Sequence, residues 1–271
     1  MLRFVRHFLL AIQFFTRIPV TGRLADWVGF SPVMFRASAA HFPGVGVLIG
    51  TLVAGQTAIL LGLLPPGPFA PLVGAVMGTV LSVMVTGGFH EDGLADVADG
   101  LGGSSDRDRA LVIMKDSRVG AFGVLAVVLA LLAKVALLAL IGSVSPRWML
   151  AGIFAAHVVS RACVLLLIRL MPHVGDAAGS KSKPLADQIS GRSLAVAAVW
   201  CFSALALVAA VQAAMGFAAW PLVMGVLACG GAWAYMGRLL WRRLQGFTGD
   251  GLGATQQVCE IAFYLGLALA L

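Results

Sequence analysis

"AFGVLAVVLALLAKVALLALIGSVSPRWMLAGIFAAHVVSRACVLLLIRL", residues 121–170, decides the fold class. Two apolar windows, 121–141 and 148–170, are parted only by the breaker Gly-Ser-Val-Ser-Pro. About 20 mostly apolar residues suffice to cross a bilayer, so this stretch reads as two spanning helices joined by a tight turn. The pattern recurs on both sides of it. Windows 41–64 and 69–89 flank "PPGP", and windows 194–214 and 220–236 make a third pair. The last window, 258–271, has 14 residues and includes Glu260, which is short for a span. The expected fold is an all-α, polytopic integral membrane helix bundle. It has six spanning helices and a seventh that is tilted, partial or buried among the others. Composition agrees: 60% of the chain is hydrophobic and 11% charged, with a mean hydropathy of +0.95, far from the roughly half-apolar make-up of soluble domains.

Residues 1–40 do not read as a cleavable signal, which has one apolar run after a charged start. Here Arg3, Arg6, Arg17, Arg23 and Arg36 punctuate the whole segment. "RFVRHFLLAIQFFTRIPV" reads as an amphipathic interfacial helix, the alternative being an ordinary first span with a polar flank. The cysteines Cys163, Cys201, Cys229 and Cys259 fall in apolar windows without metal-like spacing, and read as small buried hydrophobes.

The net charge of +7 is explained by topology and does not call for nucleic acid as a partner. Basic residues gather in the N-terminal segment and in the connections at about 87–120, 171–193 and 237–257, while the alternate connections carry only Arg147. Positive charge accumulates on the cytoplasmic side. The N-terminus and the three polar connections are therefore expected in the cytoplasm, with the lipid bilayer as permanent partner. All 271 residues are expected to form one domain whose chemistry is reached from that side.

The chemistry is expected in "GGFHEDGLADVADGLGG", residues 87–103, which holds four of the chain's twelve carboxylates: Glu91, Asp92, Asp96 and Asp99. Asp92, Asp96 and Asp99 are spaced i, i+4, i+7, within about 60° on one helix face. At the bilayer centre each would cost about 2.5–3.5 kcal/mol, so they belong at the mouth of the bundle or in a wet cavity. Hard oxygen ligands on one face suit Mg²⁺ or Mn²⁺, which take one or two carboxylates plus waters and substrate phosphates. The glycines around them are expected to end that helix near Asp99.

In "SSDRDRALVIMKDSRVGAFG", Asp116 is a candidate fourth ligand, and Lys115 and Arg118 could hold phosphate oxygens. Asp106 to Arg109 reads as a self-neutralised surface turn. His90 is a candidate base or merely a polar partner of the acids. Lys181 and Lys183 sit in a Gly/Ser/Pro-rich loop and could close over an anionic substrate or touch anionic lipid. Asp250, in the glycine-rich "FTGDGLGATQQ", is either a helix cap or a further group of the pocket. His41, Arg161 and Glu260 lie in or beside apolar windows, where ionisable groups are functional candidates; Arg161 and Glu260 could simply pair.

On "GGFHEDGLADVADGLGG", "IMKDSRVGAFG", "GDGLGATQQ" and the N-terminal "FFTRIPV", the chain resembles the cobalamin synthase family, the adenosylcobinamide-GDP ribazoletransferases, over essentially its whole length. One departure is Gln257, where the family often carries Glu. The resemblance implies a Mg²⁺-dependent transferase of the cytoplasmic (inner) membrane. Its substrates would be a corrinoid nucleotide and α-ribazole or its 5′-phosphate, and an oligomer is compatible with it. It implies Asp92, Asp96, Asp99 and Asp116 as metal ligands, and His90, Glu91, Asp99, Lys115 and Arg118 as catalytic groups. Arg107, Lys181, Lys183 and Asp250 would bind substrate. Two other readings compete. The Asp-Val-Ala-Asp-Gly run at 96–100 reproduces the start, though not the end, of the CDP-alcohol phosphotransferase motif. A cation transporter could use the acids as an ion site, but would need access from both sides.

Overall fold

The computed structural model describes residues 2–175 and 189–271, and among them it is an all-α bundle. Three short helices open the chain: α1 (Leu2–Phe15), α2 (Gly22–Val28) and α3 (Pro32–Ser38). Then come α4 (Phe42–Leu63), α5 (Ala70–Thr86), α6 (Phe89–Gly103), α7 (Arg107–Ile113), α8 (Ala121–Val144), α9 (Pro146–Leu170), α10 (Gly191–Ala214), α11 (Trp220–Leu244) and α12 (Gly249–Ala268). Five stretches are long and apolar enough to cross a membrane: Pro32–Leu63, Ala121–Val144, Pro146–Leu170, Gly191–Ala214 and Trp220–Leu244. A sixth, Ala70–Thr86 with Phe89–Gly103, is bent by 88°. The protein is a multi-pass membrane protein.

Local chemistry sets the helix ends. Between α8 and α9 the turn shrinks to Ser145, whose hydroxyl accepts from the Trp148 amide at 3.3 Å, with Pro146 at the first helical position where a missing N–H is harmless. Between α5 and α6 the chain turns on Gly87 and Gly88, at φ +71° and +70°. Only glycine takes such a conformation without strain, and a side chain at Gly87 would also collide with Arg17. The bend takes α6 out of the α5 axis and lays it across the end of the bundle, outside the spanning segments.

Side-chain and backbone contacts gather the described parts of the polar connections at that end. The Arg17 amide donates to the Val85 carbonyl at 2.7 Å. Arg107 Nε donates to the Leu244 carbonyl, and Arg243 to the carbonyls of Leu101 and Ser104. Val174 and Phe247 exchange backbone contact beside His173. Lys181 and Lys183 lie outside the described residues.

Two expectations are corrected by the fold, and the burial of the cysteines is borne out with an added detail. The glycines do not end α6 near Asp99; the helix runs on to Gly103. At Gly100 a side chain would meet Met114 and the Ala110 carbonyl, so the missing side chain there serves close packing on α7. The segment "GDGLGATQQ" is no turn but the first half of α12, capped by Thr248, whose hydroxyl accepts from the Gly251 amide at 3.0 Å. Thus α12 is a 20-residue helix shielded by α11, α6, α9 and α8, and its buried polar face is tolerated because its neighbours supply partners. Finally, the widely spaced Cys163, Cys229 and Cys259 converge in the core, with sulfurs within 4.8 Å of one another. Sequence spacing could not reveal this, because the three sit on different helices.

Candidate functional site

A cavity of about 1290 Å³ opens between the end of α1, the start of α6, α7 and the start of α12. His90, Glu91, Asp92 and Ala95 of α6 line it, opposite Thr248, Gly249, Asp250 and Gln256. Gln13, Thr16 and Arg17 contribute from the α1 side, Lys115 from beyond α7, and Arg161 and Val164 from α9.

The acids are brought to the cavity by one close approach. At Gly93 a methyl group would stand 2.7 Å from the Asp250 carbonyl oxygen, so α6 presses directly on the first turn of α12. This sets Asp250 against the exposed Asp92 and the half-buried Asp96. Burial first, then repulsion from Asp250, Asp92 and Asp99, pushes the Asp96 carboxyl up to about 7. Burial and Asp92 likewise raise Asp250. This is the signature of like charges held together without a counter-charge, and the set is all hard oxygen. Asp96 does not itself line the cavity.

Asp99 is occupied differently. Its two oxygens accept from the Gly120 amide at 2.7 Å and the Gly123 amide at 2.8 Å, so it caps the start of α8. Asp116 is bound by Arg118, with Arg118 Nη2 at 2.6 Å and Nε at 3.0 Å, which holds its carboxyl down at about 2. This exposed pair does not line the cavity. Neither does Arg107, which is held by Leu244 and Asp108. Asp106 accepts from the Arg109 amide and caps α7, in keeping with a self-satisfied turn.

Glu91 and His90 face inward. Glu91 Oε1 accepts from Gln257 Nε2 at 3.0 Å, while Oε2 is buried without a partner. The Gln257 amide is therefore a donor, a role a carboxylate would not fill beside Glu91. Burial, with Arg161 next in effect, holds the His90 imidazole well below its usual range and thus neutral.

Beneath the cavity lies a polar layer that sequence reading largely missed. Glu260 does not pair with Arg161. Its Oε1 takes Lys134 Nζ at 2.6 Å and Tyr264 Oη at 3.0 Å, and its Oε2 takes Gln256 Nε2 at 2.7 Å. Gln256 also reaches Ser160 Oγ and receives Gln257 Nε2. Arg161 instead donates from Nη1 to the His157 carbonyl at 2.9 Å and to its Nδ1 at 3.1 Å. The signal for Lys134 was present: it is the single charged residue in the 24 residues of α8.

A multi-pass helical bundle whose polar end holds one cavity lined by both carboxylates and cationic side chains defines a membrane-embedded protein with a charged site at one end. The family model for Cobalamin-5-phosphate synthase matches residues 7–268, and the chain belongs to that family. Its relatives include an "Adenosylcobinamide-GDP ribazoletransferase" of Albidiferax ferrireducens, 66% identical across the full length of both chains. One from Polaromonas naphthalenivorans is 60% identical, again over both whole chains. A Vibrio cholerae protein of the same name is 40% identical over 95% of this chain and 91% of its own. No solved structure matches.

Proposed function

We propose that this protein is an adenosylcobinamide-GDP ribazoletransferase. It joins adenosylcobinamide-GDP to α-ribazole, or its 5′-phosphate, forming adenosylcobalamin or its 5′-phosphate and releasing GMP. The observation that carries the reading is the opposition of Asp92 and Asp250 across a cavity that Lys115 and Arg17 also line, in a chain with full-length relatives of that name. The same match favours this reaction over a CDP-alcohol phosphotransferase, whose motif is only begun at residues 96–100.

In chemical terms a ribose hydroxyl attacks the phosphorus nearer the cobinamide, the new P–O bond forms, and the P–O bond to GMP breaks. Such a transfer depends mainly on positioning and charge stabilisation. The donor set fits Mg²⁺ or Mn²⁺: Asp92, Asp96 and Asp250 are hard, mutually repelling carboxylates, and water and phosphate oxygens would complete the shell. A divalent ion held there would supply neutralisation of the pyrophosphate and of the leaving phosphate. Lys115 meets phosphoryl oxygens at the cavity wall. His90 or a carboxylate of the cluster takes the hydroxyl proton, with Glu91, fixed by Gln257, beside His90. The basic connections at the cavity end support a site that faces the cytoplasm, in the inner membrane.

The test is GMP release from purified protein in detergent, supplied with adenosylcobinamide-GDP, α-ribazole 5′-phosphate and Mg²⁺. Release that EDTA stops and that Asp92→Asn lowers at least 100-fold is expected. Release undiminished in a folded Asp92→Asn variant would remove the metal assignment. Absence of release from the wild type would remove the reaction.

A further inference from the structure

Arg161 sits on the cavity wall, next to Ser160, which Gln256 bonds. Gln256 lies six residues along α12 from Asp250, about 9 Å at 1.5 Å per residue. Arg161 is 4% exposed, and a charge taken so far from water costs several kcal/mol unless something opposite pairs with it. Glu260 and Glu91 attract it across a gap but touch none of its nitrogens. Glu260 is taken by Lys134, Tyr264 and Gln256, and Glu91 Oε1 by Gln257. Among the described residues no carboxylate oxygen lies within 4.0 Å of the Arg161 nitrogens. Its Nη1 is fixed by His157, and its Nε is buried with no acceptor at all. The guanidinium is thus anchored at one nitrogen and has donors left over on a cavity wall, where arginine's planar fork matches two oxygens of one phosphoryl group.

From this arrangement we infer that Arg161 is a phosphate-binding residue on the cavity wall, separate from the carboxylate end. The inference rests on the proposed reaction for the identity of the phosphate, and deepens it. Two phosphates have the right chemistry: the diphosphate of the corrinoid nucleotide and the 5′-phosphate of α-ribazole phosphate. His157 is the positioning residue: its Nδ1 accepts from the arginine and so keeps the guanidinium from rotating away.

The experiment compares wild type, Arg161→Gln and Arg161→Lys, each checked for fold by size exclusion and melting in detergent. Two quantities are read: binding of inorganic pyrophosphate, and KM for α-ribazole against α-ribazole 5′-phosphate. A charge-assisted hydrogen-bonded contact is worth roughly 10- to 100-fold in affinity. If Arg161 holds the diphosphate, Arg161→Gln weakens pyrophosphate by about that factor, and both ribazole substrates are affected alike. If it holds the ribazole phosphate, KM rises for the phosphorylated substrate only. Arg161→Lys, which keeps the charge and loses the fork, falls between in either case, and decides the matter alone should the glutamine variant not fold. Unchanged pyrophosphate binding together with unchanged KM for both ribazoles overturns the inference. Wild type that binds pyrophosphate but releases no GMP leaves the anion site standing and removes only the reaction.

Discussion

Removing Lys134 or Glu260 singly should be far more damaging than removing both. Their atoms stand 2.6 Å apart, with side chains 2% and 1% exposed. At an effective dielectric near 20 the attraction is about 6 kcal/mol, set against a desolvation penalty of several kcal/mol for each ion. The intact pair therefore comes close to balance, whereas one orphaned member keeps its penalty and loses its return, about 3–5 kcal/mol. The two single variants should differ. In Lys134→Met the carboxylate still accepts from Tyr264 and Gln256, while in Glu260→Gln the ammonium is left facing only a neutral amide. Glu260→Gln should thus lie at the severe end. For a chain of this size about 3–5 kcal/mol corresponds to roughly 6–20 °C in melting temperature. Intrinsic fluorescence during thermal unfolding in detergent measures it, since the chain has six tryptophans. The double variant Lys134→Met/Glu260→Gln should recover most of the loss, giving a coupling energy of about 3 kcal/mol or more. Additive losses in the double variant would refute the claim that the pair exists to neutralise itself.

Three further outcomes follow from the site. Asp99→Ala, by orphaning the Gly120 and Gly123 amides, should lower stability by about 2 kcal/mol, with the melt of Asp92→Asn staying near wild type; equal melts would contradict a capping role for Asp99. Gly93→Ala should force α6 off the Asp250 backbone, costing about 1–3 kcal/mol, with a weakened Mg²⁺ response as the second readout; a variant indistinguishable from wild type would show the helix contact to be loose. Asp96, raised to about 7 in the fold, binds more protons folded than unfolded between about pH 4 and 7. Without divalent cation, stability should therefore fall as pH rises across that window and level off above it. Saturating Mg²⁺ should flatten the slope, and a slope of the opposite sign in urea or detergent melts at stepped pH would overturn the assignment.

The spans were legible because each apolar run ends at chemistry visible in one dimension: the Ser-Pro at 145–146, the Pro-Pro-Gly-Pro between α4 and α5, the glycine pair at 87–88. The i, i+4, i+7 acids also announced a helical face, and α6 supplies it. What stayed hidden needs neighbours. Asp99 has the same spacing and chemistry as Asp92 and Asp96, yet it is spent on α8, a partner more than 20 residues away. Glycines in α6 and α12 read as breakers, because propensity counts their entropy and cannot see the helix packed against them. Glu260 looked like a partner for Arg161 because both were charges in apolar surroundings; Lys134, lying between hydrophobic residues of α8, takes it instead.

The path of α12 also leads to an expectation about the two sides of the membrane. It leaves the cavity at Gly249 and runs 20 residues, about 30 Å at 1.5 Å per residue, so Leu271 surfaces at the end of the bundle occupied by the tight turns. With α5 and α12 added to the five stretches long and apolar enough to cross, seven helices among the described residues join the two ends, an odd number. If all seven cross the bilayer, Arg3 and Leu271 look onto different compartments. In sealed vesicles of one orientation, a membrane-impermeant label directed at single cysteines in these positions would reach one and not the other. An attachment made beyond Leu271 would hold the enzyme by its back, leaving the α1 segment, with Gln13 to Arg17 on the cavity rim, unencumbered for substrates on the opposite side.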